Sequence, residues 1–274
     1  MKTLLKDKIN ALERLIQNLR PLMIAYSGGT DSTFLVKVAR QVLGNEVVAA
    51  IVRSSLHPVG EYDAALSQIA DMGVPCETIQ ADLMAIPELT QNPRDRCYHC
   101  KKVLFSMIVK LAGERGISQV AEGTNADDTS DYRPGMKALS QLGIRSPLRE
   151  VHLTKGEIRE LSRALGLSTW NKPAEACLAS RFPYGERITL LKLTKVENAE
   201  AHLRRFGFRE IRVRLHGNLA RIEVSPQEVP RFMDAHLRAS VLEQLKRAGC
   251  TYITLDLEGY RRGSLNEVLS LEAT

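Results

Sequence analysis

The sequence predicts an α/β protein with a doubly wound parallel sheet, followed by a smaller C-terminal α+β domain. In residues 20 to about 150, short apolar segments typical of buried strands alternate with segments whose apolar residues recur at helical spacing. Gly44, Gly73 and Gly116 follow the helical segments, where helix C-caps belong. Beyond residue 190 the order changes to helix, two strands, helix and strand, which is typical of a small α+β domain.

The larger domain is predicted to cover residues 1–185. Its strands are expected over residues 22–26, 47–52, 76–80 and 119–121. Its helices are expected over residues 33–43, 62–72 and 101–114. An amphipathic N-terminal helix precedes them and ends before Pro21. Thr154, with Glu157 three residues later, is a capping box and predicts the start of a further helix.

The smaller domain is predicted to cover residues 186–274. Its elements are expected to be a helix over 193–206, strands over 210–216 and 219–224, a helix over 229–247 and a strand over 252–256. Gly217 and Asn218 separate the first two strands, and this dipeptide favours a hairpin turn. The two strands are therefore expected to be antiparallel.

The composition is that of a soluble globular protein: 44% of the 274 residues are apolar and 26% are charged. No apolar run reaches the roughly eighteen residues of a membrane span. Charged residues interrupt the N-terminus throughout, which argues against a signal peptide, so we expect a cytoplasmic protein without a membrane partner. The net charge of +6 favours phosphate-bearing small molecules, whereas 5% aromatic residues and the lack of a long basic run argue against nucleic acid.

The sequence SGGTDS lies between the first predicted strand and the helix that follows it. A glycine-rich turn at a helix N-terminus directs backbone N–H groups and the positive end of the helix dipole at one point, where phosphate binds. The loop has no Gly-Lys-Ser/Thr ending, so no lysine of its own reaches toward the β- and γ-phosphates. In this setting it resembles the PP-loop of Rossmann-like ATP pyrophosphatases, although a flexible loop is the plainer interpretation. The predicted ATP-binding residues here are Ser27, Gly28, Gly29, Thr30, Asp31 and Ser32.

Two further strands are expected to end in the same crevice, because ligands bind at the carboxyl ends of parallel strands. Arg53 follows the second strand. The residues after the fourth strand that are expected to bind the nucleotide are Gly123, Thr124, Asn125 and Asp128. Asp127 or Asp128 could hold Mg²⁺ against a triphosphate, and Arg133 could neutralise the departing pyrophosphate. The plainer interpretation of residues 123–128 is a turn followed by an N-cap. For Arg133 it is a surface ion pair.

Five cysteines in a cytosolic chain are not expected to form structural disulfides. Cys97 and Cys100 form a C-x₂-C pair at a helix start, which is half of a zinc site without a second pair. With Cys177, three thiolates and an open position suit a [4Fe–4S] cluster better than structural zinc. A redox dithiol and plain surface thiols are the alternatives. Cys76 and Cys250 lie beside apolar or turn residues and are expected to be inert.

Cys177 lies in a segment of small residues, with Arg181 four residues later. A nearby arginine can keep a thiol ionised and reactive. A buried structural cysteine is the alternative.

In the smaller domain, Arg212 and Arg214 alternate along a predicted strand and project from one face. Two guanidinium groups side by side can bind a phosphate bidentately. Glu223 on the paired strand could balance these charges or bind a cation. A solvated lattice of salt bridges is the alternative.

Taken together, the motifs resemble the LarE family of ATP-dependent sulfur transferases over nearly the whole chain. The motifs that carry the resemblance are SGGTDS, EGTNADD followed by DYRPG, DRCYHCKK, WNKPAEACLASRFPYG and RVRLHGNLARIEV. The resemblance implies that ATP adenylates a carboxylate of a pyridinium biscarboxylate mononucleotide and that pyrophosphate leaves. Sulfur then displaces AMP to give a thiocarboxylate, in the biosynthesis of the nickel-pincer nucleotide. The resemblance also implies a homo-oligomer.

The resemblance also implies how sulfur is supplied. Cys177 matches the family's sulfur-bearing cysteine, which in one branch attacks the acyl-adenylate, loses its sulfur and ends as dehydroalanine. Cys97 and Cys100 match another branch, in which three cysteines hold a [4Fe–4S] cluster whose fourth iron carries an exchangeable sulfide. We expect the cluster route, with sulfide or an unidentified donor as the sulfur source.

Two residue sets complete the predicted site. The substrate-binding residues are expected to be Ser180, Arg181, Arg212 and Arg214. Glu200 and Glu223 match the family's divalent-cation site. Two alternative functions stay open: a PP-loop enzyme that thiolates tRNA, and a non-catalytic nucleotide or metal sensor.

Overall fold

A four-stranded parallel sheet forms the centre of the first part of the chain. Its strands are β1 (Leu22–Ala25), β2 (Val47–Arg53), β3 (Cys76–Gln80) and β4 (Gln119–Ala121). They lie in the order β3-β2-β1-β4, and every neighbouring pair is parallel. Leu22 of β1 aligns with Val47 of β2 on one side and with Gln119 of β4 on the other. The carboxyl ends of these three strands therefore meet at one edge, where such sheets bind ligands.

The structure is a computed structural model, and it describes residues 3–130, 134–173, 176–261 and 263–268. The helices that it describes are α1 (Thr3–Gln17), α2 (Thr30–Leu43), α3 (Val59–Asp71), α4 (Pro87–Thr90), α5 (Arg96–Glu114), α6 (Gly135–Gln141), α7 (Pro147–Glu150), α8 (Lys155–Ala164), α9 (Leu190–Arg205) and α10 (Ala235–Arg247). In the described part of the chain, none of them is long and apolar enough to cross a membrane.

Helices cover both faces of the parallel sheet. Leu22 and Ile24 of β1 point to one face and are buried with residues of α1, α2 and α8. Met23 points to the other face and is buried with Phe105 and Ile108 of α5. A strand whose successive side chains are buried on opposite faces is the middle layer of a three-layer α/β structure. The predicted fold class is therefore confirmed.

The chain divides into two compact units, Met1–Leu83 with Asp95–Glu175, and Met84–Arg94 with Ala176–Thr274. The division at residue 185 predicted from sequence places 84–94 and 176–185 in the first domain. Backbone hydrogen bonds group them differently, because the amide of Gly185 donates to the carbonyl of Asn92 at 2.8 Å and that of Ile188 donates to Thr90 at 2.8 Å. Residues 84–94 belong to the second unit although the chain on both sides of them belongs to the first. Their amino-acid composition does not indicate this change.

The second unit is built on a three-stranded sheet of β5 (Ile211–His216), β6 (Leu219–Val224) and β7 (Tyr252–Leu255). β5 and β6 are antiparallel and β7 is parallel to β6, in the order β5-β6-β7. The hairpin turn at Gly217 has a φ of +58°, which glycine adopts without strain. The single helix predicted over 229–247 is instead a 3₁₀ segment, Pro226–Met233, followed by α10. Pro230 has no N–H for an α-helical ladder, and the Asp234 side chain caps α10 by accepting from the Leu237 amide at 2.7 Å.

Candidate functional site

The loop between β1 and α2 has an ordered geometry that needs glycine. Gly28 has a φ of +68°, and a Cβ placed there would lie 2.7 Å from the Cβ of Ala65 in α3. The hydroxyls of Ser27 and Ser32 lie 3.1 Å apart across the loop. Gly29 is the N-cap of α2 and offers no side-chain cap, so the first N–H groups of the helix keep the geometry of an anion site. A flexible loop does not describe this segment.

Two lysines from distant parts of the chain reach this loop. The Nζ of Lys155, the first residue of α8, donates to both carboxylate oxygens of Asp31, at 2.8 and 2.7 Å. The Nζ of Lys172 donates to the carbonyl of Gly28 at 3.1 Å. These contacts join residues separated by 124 and 144 positions. The loop thus obtains from later in the chain the positive charge that its own sequence lacks.

The segment after β4 packs directly on the same loop. A Cβ placed on Gly123 would lie 2.9 Å from the backbone nitrogen of Ser32, so glycine is needed for this close approach. The side-chain amide of Asn125 donates to Asp31 at 3.4 Å, and the backbone amide of Asn125 donates to Asp128 at 3.1 Å. The structure brings this predicted segment and the SGGTDS loop together.

Lys155 also connects α8 to the segment after β4. Its backbone amide donates to the carboxylate of Asp127 at 2.8 Å, while its side chain binds Asp31. The capping box holds this helix start in place, because the side chain of Thr154 accepts from the amide of Glu157 and the side chain of Glu157 accepts from the amide of Thr154. The predicted capping box is confirmed, and it presents the lysine that the sequence analysis did not identify.

A buried carboxylate supports the loop after β4. Glu122 is 7% exposed and accepts from the amide and hydroxyl of Thr124, at 3.1 and 2.6 Å. The hydroxyl of Ser146 also donates to it, at 2.6 Å. The predicted nucleotide-binding residue Thr124 thus has its hydroxyl on Glu122.

Electrostatics at Asp31 favour a cation. Burial raises the pKa of Asp31, the Lys155 ammonium opposes this, and the charge of Asp128 adds to the rise. A bound cation would relieve the repulsion that a neighbouring carboxylate exerts on Asp31, and Mg²⁺ prefers oxygen ligands with substrate phosphates. Within the described ranges, no group of three or more His, Cys, Asp or Glu side chains could hold a metal by itself.

The two predicted arginines of this site have different outcomes. Arg53 is exposed at the end of β2, and its guanidinium lies 5.1 Å from the centre of the Tyr62 ring in α3. This cation–π contact fixes it beside the sheet edge. Arg133 lies outside the described residues, so its predicted role in neutralising pyrophosphate stays a prediction.

Cys97 and Cys100 lie three residues apart at the start of α5. This helix begins five residues earlier than predicted, because its polar first turn carries no apolar period. Residues three apart are neighbours on a helix surface, and Cys97 is exposed while Cys100 is half-buried. Gly135 of α6 packs on this turn, since a Cβ there would lie 3.2 Å from the Cys97 carbonyl. Cys177 belongs to the second unit. The three-cysteine set stays a prediction.

Arg181 is fully buried at 0% exposure. Its guanidinium pairs with Glu200 of α9 through two hydrogen bonds, of 2.8 and 2.9 Å. It also donates to the carbonyl of Cys177 at 3.2 Å. Arg181 therefore contacts the main chain of the cysteine turn, and Glu200 balances its charge. The predicted substrate contact of Arg181 and its predicted activation of the thiol stay predictions.

The arginines of β5 are also engaged. Arg214 forms a fork with Glu223 of β6, and its Nη1 donates to the carbonyl of Ser180 at 2.7 Å. Arg221 donates to Glu223 at 2.9 Å. The Arg212 guanidinium lies 5.0 Å from the centre of the Tyr260 ring. Glu223 thus balances the arginines, which is one of the two roles predicted for it, and a cation at Glu200 and Glu223 stays a prediction.

Comparisons with known proteins identify relatives along nearly the whole chain. No protein-family model matches the sequence. The chain is 44% identical over 268 residues to an uncharacterized protein of Synechocystis, covering 97% of this chain and 100% of that one. It is 37% identical over 267 residues to the pyridinium-3,5-bisthiocarboxylic acid mononucleotide synthase of Lactiplantibacillus plantarum, covering 97% and 96%. A GMP synthase of Aeropyrum pernix is 26% identical over 200 residues, covering 66% of this chain and 38% of that enzyme.

The two remaining thiols, Cys76 and Cys250, lie in surroundings that favour the neutral thiol. Burial raises the pKa of Cys76, a half-buried residue of β3, to about 11, and the charge of Glu77 adds to the rise. Burial also raises the pKa of Cys250. Because the thiolate is the reactive form, these residues agree with the expectation of inert thiols.

The raised pKa of Cys76 predicts its alkylation profile. A thiol with a pKa of about 11 is ionised in only about one molecule per thousand at pH 8. We expect its alkylation by iodoacetamide, followed by peptide mass spectrometry, to accelerate about tenfold per unit between pH 8 and pH 10. The denatured chain is the control, in which the same thiol has a pKa of about 8.5 and its alkylation rate levels off above about pH 9.5. A plateau below pH 10 in the folded protein would contradict the assignment.

Proposed function

Because this chain belongs to the LarE family of sulfur-transferring enzymes, we propose that it uses ATP to convert a carboxylate of pyridinium-3,5-biscarboxylic acid mononucleotide to a thiocarboxylate. The relative named for the bisthiocarboxylic product aligns with 97% of this chain. The observation that carries the proposal is the assembly around Asp31. There the SGGTDS loop, the segment after β4 and the start of α8 meet through Lys155.

ATP would bind with its pyrophosphate on the SGGTDS loop. The uncapped start of α2 offers N–H groups to phosphate oxygens, and Lys155 and Lys172 supply positive charge. Asp31 and Asp128 would hold Mg²⁺ together with phosphate oxygens, which fits the raised pKa of Asp31. Bound Mg²⁺ would neutralise the charge that develops on the leaving pyrophosphate.

The proposed chemistry has two displacements. A carboxylate oxygen of the substrate attacks the α-phosphorus of ATP, the bond to the β-phosphate breaks, and pyrophosphate leaves. A sulfur nucleophile then attacks the carbonyl carbon of the acyl-adenylate, and AMP leaves with the electron pair of the C–O bond. Ser180, Arg212 and Arg214 are proposed to contact the phosphate of the substrate. A cytoplasmic homo-oligomer is part of the same proposal.

For the sulfur source, we propose the cluster route over the sacrificial one. Cys97 and Cys100 are neighbours at the start of α5, which suits two ligands of one cluster, and Cys177 would be the third. The cluster supplies an exchangeable sulfide when it is bound. In the alternative, Cys177 gives up its own sulfur and ends as dehydroalanine.

The activity is tested by ATP–pyrophosphate exchange. Labelled pyrophosphate should enter ATP only when the pyridinium dicarboxylate mononucleotide is present, because reversal needs the acyl-adenylate. Nicotinic acid mononucleotide, which lacks the second carboxylate, is the matched control. ATP binding without exchange would favour a nucleotide sensor. Exchange that requires tRNA instead would replace the proposal with tRNA thiolation.

The sulfur route is tested on protein purified without oxygen. We expect about four iron and four sulfide per chain, lost in Cys97→Ala and kept in the control Cys76→Ala. The intact mass of the wild-type protein should be the same before and after turnover. Iron-free protein that loses the mass of one H₂S, together with single-turnover activity in Cys97→Ala, would establish the sacrificial route.

A further inference from the structure

We infer that Arg181 is a positioning residue for Cys177, through a buried ion pair that fixes the turn carrying the thiol. The inference rests on the proposed function, in which Cys177 takes part in sulfur transfer. Arg181 is 0% exposed and Glu200 is 0% exposed, so both charges lie in the interior of the second unit. A guanidinium buried in this way fixes main-chain atoms and presents no surface to a substrate.

One edge of the guanidinium anchors it to the core. Nε and Nη2 of Arg181 donate to the two carboxylate oxygens of Glu200, at 2.8 and 2.9 Å. The carboxylate is fixed in turn, because the backbone amide of Val213 in β5 donates to it at 3.0 Å. A bidentate pair of this kind defines both distance and plane. Arg181 is thus held by α9 and β5 together.

The other edge points at the cysteine turn. Nη1 of Arg181 donates to the carbonyls of Ala176 and Cys177, at 2.7 and 3.2 Å, and to the hydroxyl of Ser180 at 3.0 Å. The amide and hydroxyl of Ser180 donate to the same Cys177 carbonyl, at 3.0 and 2.9 Å. Because the carbonyl and the side chain share one Cα, fixing the peptide plane limits where the sulfur can lie.

A second buried arginine holds the end of the turn. Arg214, paired with Glu223, donates to the carbonyl of Ser180 at 2.7 Å and to the hydroxyl of Ser264 at 2.8 Å. A buried ion pair is on average no more stabilising than an apolar replacement of similar volume. Stability alone is therefore a weak reason for two such pairs on one turn. Control of the position of the Cys177 sulfur is a sufficient reason for them, since small displacements of a reacting atom lower the rate by large factors.

The test compares Arg181→Lys with the wild-type full-length chain. Lysine keeps the charge but cannot pair with Glu200 and contact both carbonyls at once. Arg204→Ala is the matched control, because Arg204 also pairs with Glu200, at 3.7 Å, but is 37% exposed, whereas Arg181 is fully buried. Ser180→Ala removes one donor to the Cys177 carbonyl without disturbing a buried charge. It is compared by amide hydrogen exchange only, because Ser180 is also proposed to contact the substrate, and it serves if the lysine variant does not fold.

Positioning predicts a specific pattern. In Arg181→Lys, kcat for sulfur transfer should fall about a hundredfold while KM for the dicarboxylate changes less than about twofold. Amide hydrogen exchange at Ser180 should accelerate at least about tenfold, because its bond to the Cys177 carbonyl opens more often. In Ser180→Ala, amide exchange at position 180 should accelerate by less than in Arg181→Lys. Arg204→Ala should change neither kcat nor this exchange rate.

Other results would overturn the inference. A rise in KM with an unchanged kcat would make Arg181 a substrate-binding residue. Unchanged hydrogen exchange in Arg181→Lys would show that the ion pair does not order the turn. If the wild-type protein does not convert the dicarboxylate, the proposed function fails, and hydrogen exchange still decides whether Arg181 orders the turn.

Discussion

The ion pair between Asp31 and Lys155 joins the parts of the first unit on which the candidate nucleotide site depends. The side chains are 22% and 25% exposed, so water screens their attraction less than that of a surface pair. The same lysine donates its backbone amide to Asp127. Three segments far apart in sequence thereby meet at the carboxyl edge of the sheet. Without this contact the SGGTDS loop would keep the N–H groups at the start of α2 but would lack the Lys155 ammonium beside Asp31.

The second unit uses charge in a different way. Its two arginine–glutamate forks, Arg181 with Glu200 and Arg214 with Glu223, are buried. Removing one partner of such a pair typically costs about 3–5 kcal/mol, because it leaves a buried charge without compensation. Both forks end on carbonyls of the turn from Cys177 to Arg181. Arg181 and Arg214, which the sequence suggested for binding substrate, therefore also bind backbone carbonyls of their own unit.

The sequence predicts the fold well because the parallel sheet is buried on both faces and leaves a strong apolar pattern. β3, β4 and β6 match their predicted bounds. Helix starts are less predictable: α2 begins at Thr30 and α5 at Arg96, because their first turns are polar. The excursion of residues 84–94 depends on long-range backbone hydrogen bonds. Such bonds leave no local signal.

The site is predicted only where a local sequence motif marks it. Glycine motifs at strand ends identify the loop and the segment after β4, since close backbone approach requires glycine there. Lys155 and Lys172 were not predicted to bind, because each meets the loop only through tertiary structure. The alternation of Arg212 and Arg214 predicts that both lie on one face of β5, but burial and the carboxylate partner decide what each arginine does.

The claim that the nucleotide site is completed by a lysine from α8 is tested most directly by the KM for ATP of Lys155→Gln in pyrophosphate exchange. A charge-assisted hydrogen bond contributes about 1.5–3 kcal/mol, so we predict a rise in KM of about tenfold to a hundredfold. Lys110→Gln, at a lysine of α5 with 80% exposure, should leave KM unchanged. An unchanged KM in a folded Lys155→Gln variant would contradict the account, because the lysine would then only stabilise Asp31.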